Sequence, residues 1–429
     1  MRQTIEGGKT LLVDGPACIS LYSGALRAFG APIKVGDHII IRRGRRIPLE
    51  ALEDSEIELL LGNSASYSLI DEDPIPASWK EAAGKIVRVG GCVKVAVLGN
   101  VDSGKTSFCT YLANVALGAG RNVALIDGDL GQSDVGPPGT LGLSFVRKPL
   151  VDPFNLQPSS IVFVGITSPS SVIEPTINGL VELVSRALVA GSDFIVVNTD
   201  GWVEGLDAVN YKLRLIKSLQ PNFVVAIQDK DELKPLVDLL TGLGISIVNI
   251  ETPRNIKRRD RETRKLIRES SYRRFLRDAK VRSYPLSWVK VDGCLGIRGK
   301  QDQILRKRMD EVLGDRVVYC ESCQDSIILV LREGATLSDE ERAKILAELN
   351  KPLRIIHRGD EKGLLVALED EKGCFLGIGT INCVDFERGT IKIYTNVDGP
   401  ISRIRVGQIR LDERGNEIEV VGGLGMFFR

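Results

Sequence analysis

Apolar positions in the first 85 residues come in short runs that stop often. Residues 10–13, 18–22, 31–35, 38–41 and 56–61 read as strands, punctuated by Asp14-Gly15-Pro16, Gly30, Gly36-Asp37 and Gly62-Asn63. Many short strands with frequent turns predict a small β-sandwich-like domain over 1–85. Asp71-Glu72-Asp73-Pro74-Ile75-Pro76 reads as a linker. The pattern then changes. Apolar runs at 93–98, 122–127, 160–165, 193–198, 222–227 and 245–249 alternate with helical spacing at 105–117, 173–189 and 205–218. That alternation predicts an α/β domain over 86–283 with a mostly parallel sheet, whose ligands bind at the carboxyl ends of the strands. Strand-like runs return at 288–291, 316–319, 326–331, 364–368, 375–379, 390–395 and 403–410, with one helix at 338–350. Residues 284–429 are therefore expected to form a second β-rich domain.

Composition narrows the class. The 429 residues are 43% hydrophobic and 26% charged, as in a soluble globular protein of two or three domains. No run approaches the apolar length of a transmembrane helix. Residues 1–7 lack the apolar core of a signal peptide, so a cytoplasmic protein without membrane contact is expected. The net charge of +1 means that attraction for nucleic acid must come from a local patch. Cys18, Cys92, Cys109, Cys294, Cys320, Cys323, Cys374 and Cys383 are scattered. Cys320-Glu321-Ser322-Cys323 is a lone C-x-x-C without a matching second pair, so reduced or buried thiols are expected rather than a metal site. His38 and His357 are the only histidines and lie in no cluster.

Chemistry concentrates in the central region. Gly99, Asn100, Val101, Asp102, Ser103, Gly104, Lys105 and Thr106 read G-x-x-x-x-G-K-T, between a buried strand and an amphipathic helix that opens with Ser107. In such a loop the backbone N–H groups cradle phosphates, Lys105 reaches the β- and γ-phosphates, and the Thr106 hydroxyl serves Mg²⁺. One helix later the strand ends in Asp127-Gly128-Asp129. A carboxylate there can hold the metal through water or accept the proton of an attacking alcohol. The residues alone leave Asp127 and Asp129 both open for that part. Asn198-Thr199-Asp200-Gly201-Trp202 closes another strand, and Trp202 is a candidate stacking platform for a base.

From 251 to 282 there are thirteen Lys/Arg against five Asp/Glu, and 253–264 holds few apolar residues. This stretch reads as a mobile arginine lid. The run Arg42-Arg43-Gly44-Arg45-Arg46 reads as a solvated turn. Ile227-Gln228-Asp229-Lys230-Asp231 does not match the N-K-x-D of guanine-specific switches, so the donor is expected to be ATP or GTP.

Together, 99–106, Asp127 to Gln132 with Pro137-Pro138-Gly139-Thr140, and Asn198 to Trp202 resemble the polynucleotide 5′-hydroxyl kinase family of RNA processing. Phe375-Leu376-Gly377-Ile378-Gly379 and Asp385-Phe386-Glu387-Arg388 resemble its archaeal branch. The resemblance implies a magnesium-dependent transfer of the γ-phosphate of ATP or GTP to the 5′-OH of RNA, with DNA as a second candidate acceptor and RNA-processing proteins as candidate partners. It implies that Lys105 and Asp129 are catalytic, with Thr106 and Asp129 serving the metal. It places Gln132, Thr167 and Trp202 on the acceptor, and Arg254 and Arg259 in the lid. Val172 stands where the family's clasp asparagine is expected. Two other readings are an ATP-bound adaptor without turnover and an assembly NTPase.

Overall fold

The computed structural model describes residues 1–293, 295, 297, 299–323, 326–349, 351–422 and 426–428. The chain divides into two compact units, Met1–Arg268 and Glu269–Arg429.

The first unit opens with nine strands in two sheets. Arg2–Ile5, Ser55–Leu61, Ala17–Ser23 and His38–Ile41 make one; Ala31–Ile33, Leu26–Ala28, Arg46–Ala51, Thr10–Asp14 and Ser66–Ile70 make the other. Alternation drives the pairing. Ile57 and Leu59 point inward while Glu56 stays outside, and they join Ile5, Leu11, Val13, Ile19, Ile41 and Leu49 in one core. The linker runs into a helix, Ala77–Val87. Trp79, Ala82, Ala83 and Ile86 recur at helical spacing and are all buried. The Trp79 ring meets Phe108 edge-on at 5.2 Å, and its indole N–H donates to the Glu251 carbonyl at 2.9 Å.

The seven-stranded sheet that follows has the order Ser160–Phe163, Thr140–Val146, Val123–Gly128, Phe194–Thr199, Val93–Gly99, Phe223–Gln228, Ile247–Glu251. The last five are parallel, as the alternation requires. Thr140–Val146 and Ser160–Phe163 pair antiparallel, and Thr140–Val146 had not been foreseen as a strand. Gly136-Pro137-Pro138-Gly139 runs directly into it and reads as a loop. Helices Lys105–Gly118, Ile173–Val189 and Leu206–Leu219 cover the sheet. The register sets Asp127 and Val97 on either side of Asn198, so three strand ends meet at one edge.

The second unit holds a seven-stranded sheet that starts with Lys280–Pro285, and a four-stranded one. The expected helix is Asp339–Leu349. It links Ile327–Leu331 to the parallel strand Leu353–His357. A second helix, Gln303–Leu313, corrects the expectation of one; Asp302 caps it, and Leu305, Met309 and Leu313 face inward. Cys320 is buried in one core and Cys323 packs against the other. Burial pushes the Cys320 thiol up to about 12. Cys294 lies outside the described residues. Among the described residues no group of three or more His, Cys, Asp or Glu could hold a metal ion, and no helix is long and apolar enough to cross a membrane. His38 meets the Ser20 hydroxyl at 2.7 Å, and His357 meets the Ala335 carbonyl at 2.8 Å.

Candidate active site

The loop after Val93–Gly99 is shaped by what its glycines exclude. A Cβ on Gly99 would meet the Ser103 hydroxyl at 2.4 Å, and Gly104 has a φ of +99° with Trp79, Pro253 and Ile256 crowding it. The helix Lys105–Gly118 starts there, with its free N–H groups facing the loop. Lys105 is 7% exposed and donates to the Asn100 carbonyl at 2.7 Å. Burial draws its ammonium down to about 8, while Asp129 and Asp200 pull upward and Lys212 pushes down.

The two aspartates left open by the sequence part company here. Asp127 is wholly buried and spends its carboxylate on its own loop. Oδ2 accepts from the Asp134 N–H at 2.6 Å and the Ser133 hydroxyl at 3.4 Å; Oδ1 accepts from the Asn198 amide at 3.1 Å and the Asp129 N–H at 3.3 Å. Burial, with Asp134 and Asp129 adding repulsion, lifts it to about 7. Asp129 is half-buried at a cleft. The N–H groups of Gly131 and Gln132 hold its Oδ1 at 3.0 and 2.9 Å. Burial raises its pKa, and Lys105 opposes the rise.

That cleft is lined by Val101, Asp102, Gly104, Lys105, Thr106, Ser107, Asp129, Gln132 and Arg259. Its lining carries Arg45, Arg46, Lys105, Lys257 and Arg259 against Asp102 and Asp129, a balance suited to an anion. Leu12, Phe29, Pro48, Pro74, Trp79 and Ile256 are the apolar part of the lining, of the kind a flat ring needs. Gly99, Asn100 and Ser103 shape the loop behind the lining. Arg254 is exposed and outside it. Thr167 and Trp202 also lie outside. A Cβ on Gly131 would meet the Thr167 carbonyl at 3.0 Å, and one on Gly201 would meet the Val101 backbone N at 2.9 Å, so both stretches abut the site.

The strand end at Asn198–Trp202 is internally braced. Asp200 accepts from Lys212 Nζ and the Tyr211 hydroxyl, each at 2.8 Å, and from the Trp202 N–H at 2.9 Å. Lys212 is fully buried. The Trp202 ring stacks on Tyr211 at 5.6 Å with planes 22° apart.

The arginine run at 42–46 is not the solvated turn expected. Only Arg43 is exposed. Arg42 binds Asp134 and Asp152 at 2.8 Å each, Arg45 pairs with Asp134, and Arg46 binds Asp14 at 2.8 Å. Burial would raise the Asp134 carboxyl, but Arg45 and Arg42 outweigh it and hold it at about 2. The partners at 14, 134 and 152 are too far apart in the chain for any local pattern to announce them.

A glycine cradle, a buried lysine and a carboxylate at adjoining strand ends define a nucleotide-binding P-loop domain. Residues 99–278 match the family described as mRNA cleavage and polyadenylation factor CLP1 P-loop. The chain is 29% identical to a polyribonucleotide 5′-hydroxyl-kinase of Methanocaldococcus jannaschii, over 76% of this chain and 89% of that protein. It is 27% identical to one of Pyrococcus furiosus, over 81% of this chain and 96% of that protein. A structure of the wild-type Clp1p–Pcf11p complex shares the fold, with a TM-score of 0.66 and 13% identity over 96% of this chain and 97% of that one.

Proposed function

We propose that this chain is a polyribonucleotide 5′-hydroxyl kinase that moves the γ-phosphate of ATP or GTP to the 5′-OH end of RNA. The observation that carries the reading is Asp129, a carboxylate facing the same cleft as Lys105 and the P-loop, with archaeal relatives of that name matching most of the chain. The new bond joins the RNA 5′-oxygen to phosphorus as the bond to the β-phosphate oxygen breaks. The hydroxyl proton passes to Asp129, and the nucleoside diphosphate leaves. A carboxyl raised by burial is a better proton acceptor than one at its ordinary value. Lys105 and Arg259 offset charge on the transferred group.

The donors present fit a magnesium ion. The Thr106 hydroxyl and the Asp129 carboxylate are hard oxygens on the cleft, and Mg²⁺ needs few protein ligands when phosphates and waters supply the rest. Bound there it would neutralise charge between the β- and γ-phosphates. Asn198, whose amide lies 3.4 Å from the Thr106 hydroxyl, would keep that oxygen in place.

On the acceptor side, Gln132 Oε1 is buried without a hydrogen-bond partner, so an amino or hydroxyl group of the terminal nucleotide would satisfy it. Trp202 offers a ring braced from behind by Tyr211, and Thr167 would abut the same end of the strand.

The test is transfer of labelled γ-phosphate to 5′-OH oligoribonucleotides and oligodeoxyribonucleotides, for wild type and Asp129→Asn. Transfer by wild type, lost in the variant, is expected. Hydrolysis without an acceptor would favour an assembly NTPase. Tight nucleotide binding with no turnover would favour an adaptor.

A further inference from the structure

Asp102 is an acid in a loop that holds phosphates. A carboxylate there repels the very group the loop binds unless something cancels its charge. Its partner is Arg259. Asp102 Oδ2 accepts from the Arg259 backbone N–H at 2.9 Å, and Oδ1 accepts from Nε at 2.9 Å and Nη2 at 2.8 Å. The two side chains are 7% and 17% exposed, so the pair is little screened. Asp102 has a φ of +57°, a left-handed conformation that aspartate and asparagine tolerate better than most residues.

The strap carrying Arg259 has no regular structure of its own between the end of strand Ile247–Glu251 and the start of helix Arg261–Phe275. It is fastened again upstream. Lys257 lies 3.5 Å from Asp14, and Arg46 donates to the Asn255 carbonyl at 3.0 Å. The Asp14–Arg46 contacts anchor that end on the N-terminal sandwich, and Asp102 anchors the other on the phosphate loop.

We infer that Asp102 is a positioning residue: it fixes Arg259 over the phosphate-binding loop, so that the loop itself draws the strap into its working place. This rests on the phosphoryl-transfer reading of the site. The pair is neutral overall. Removing Asp102 therefore relieves a repulsion felt by the nucleotide, yet frees Arg259 from the only place where it is useful. Catalysis falls while nucleotide binding holds or improves. A merely structural residue in the loop would weaken both.

Asp102→Asn and Asp102→Gly suit the left-handed backbone, so each is expected to fold. With either, kcat for RNA phosphorylation should fall about a hundredfold, as for a misplaced catalytic group, while the ATP Kd is unchanged or lower. Arg259→Ala should lose a similar factor, and the Asp102→Asn/Arg259→Ala double variant should lose no more than Arg259→Ala alone. A wild-type kcat in both Asp102 variants, multiplicative losses in the double variant, or an ATP Kd weakened with kcat intact would overturn the inference. A separate readout needs no activity. Arg258 is exposed beside the tethered residue, and cleavage there tracks how often the strap opens. Trypsin should cut after Arg258 several-fold faster in Asp102→Asn than in wild type, and equal rates would overturn the tether even if wild type transferred no phosphate.

Discussion

Two strand ends of the central sheet look alike in sequence, and their carboxylates are held differently. Val123–Gly128 runs out into Asp129, and Phe194–Thr199 runs out into Asp200. Each places an aspartate immediately past a buried strand, beside the same P-loop. Asp200 is spoken for: an ammonium, a phenol and a backbone N–H occupy it, and it is 4% exposed. Asp129 takes two backbone N–H groups on one oxygen and faces the cleft. Position in the motif does not separate a carboxylate that faces the cleft from one that is fully engaged; the number and kind of donors already bound to it do.

The largest effect should be at the first strand end. Asp129→Asn is nearly isosteric and removes the proton acceptor, so kcat should drop by roughly 10²–10⁴ with ATP affinity kept. A kinetic assay with a 5′-OH oligoribonucleotide reads it. Activity within tenfold of wild type would erase the distinction between the two aspartates.

At the second strand end the effect should fall on stability. Lys212→Met leaves Asp200 buried with its cation gone, and losing one partner of a buried pair costs about 3–5 kcal/mol. Denaturant unfolding should show that loss, while the activity of the remaining folded protein stays within several-fold of wild type. A stable variant that is catalytically dead would instead make Asp200 part of the chemistry.

Trp202 sharpens the contrast, because it is the one side chain of the second strand end assigned here to substrate. Trp202→Ala should raise KM for RNA by the worth of one stacked base, about 1–3 kcal/mol, and leave KM for ATP alone. Trp202→Phe should recover most of it. Equal rises in both KM values would mean that the ring serves only to pack on Tyr211.

The sequence made parts of this site legible and hid others for physical reasons. The P-loop was plain because its fixed residues, its strand and its helix lie within one local stretch. Asp127 and Asp129 cannot be told apart from the local pattern, since their difference depends on which N–H groups of 131–135 turn toward which carboxylate. Arg45 and Arg46 were invisible as site residues. Asp134 is brought to Arg45 by how the sandwich lies on the sheet within the first unit, and Asp14 faces Arg46 across the pairing of Thr10–Asp14 with Arg46–Ala51; a run of arginines in a turn reads the same whether paired or solvated. The strand Thr140–Val146 was missed because it follows directly on the loop-like Gly136-Pro137-Pro138-Gly139 and its alternate positions 142 and 144 are glycine and serine, weak strand formers. Both are fitted to neighbours, Gly142 to Val135 and Ser144 to the Gln157 carbonyl.

Lys105 feels both strand ends, so its titration can report on each. Without nucleotide, burial holds its ammonium near 8, with Asp129 and Asp200 raising it and Lys212 lowering it. Phosphates favour the charged form. Below pH 8 the lysine is already protonated and ATP affinity should be flat. Above it, binding must take up a proton, so the ATP Kd should weaken by up to about tenfold per pH unit. Calorimetry in buffers of different ionisation enthalpy would count that proton. Asp129→Asn removes a raising charge and should move the break to lower pH, whereas Lys212→Met removes a lowering one and should move it up. A break that shifts with Asp129→Asn alone would mean that Lys105 does not feel the charges of the second strand end.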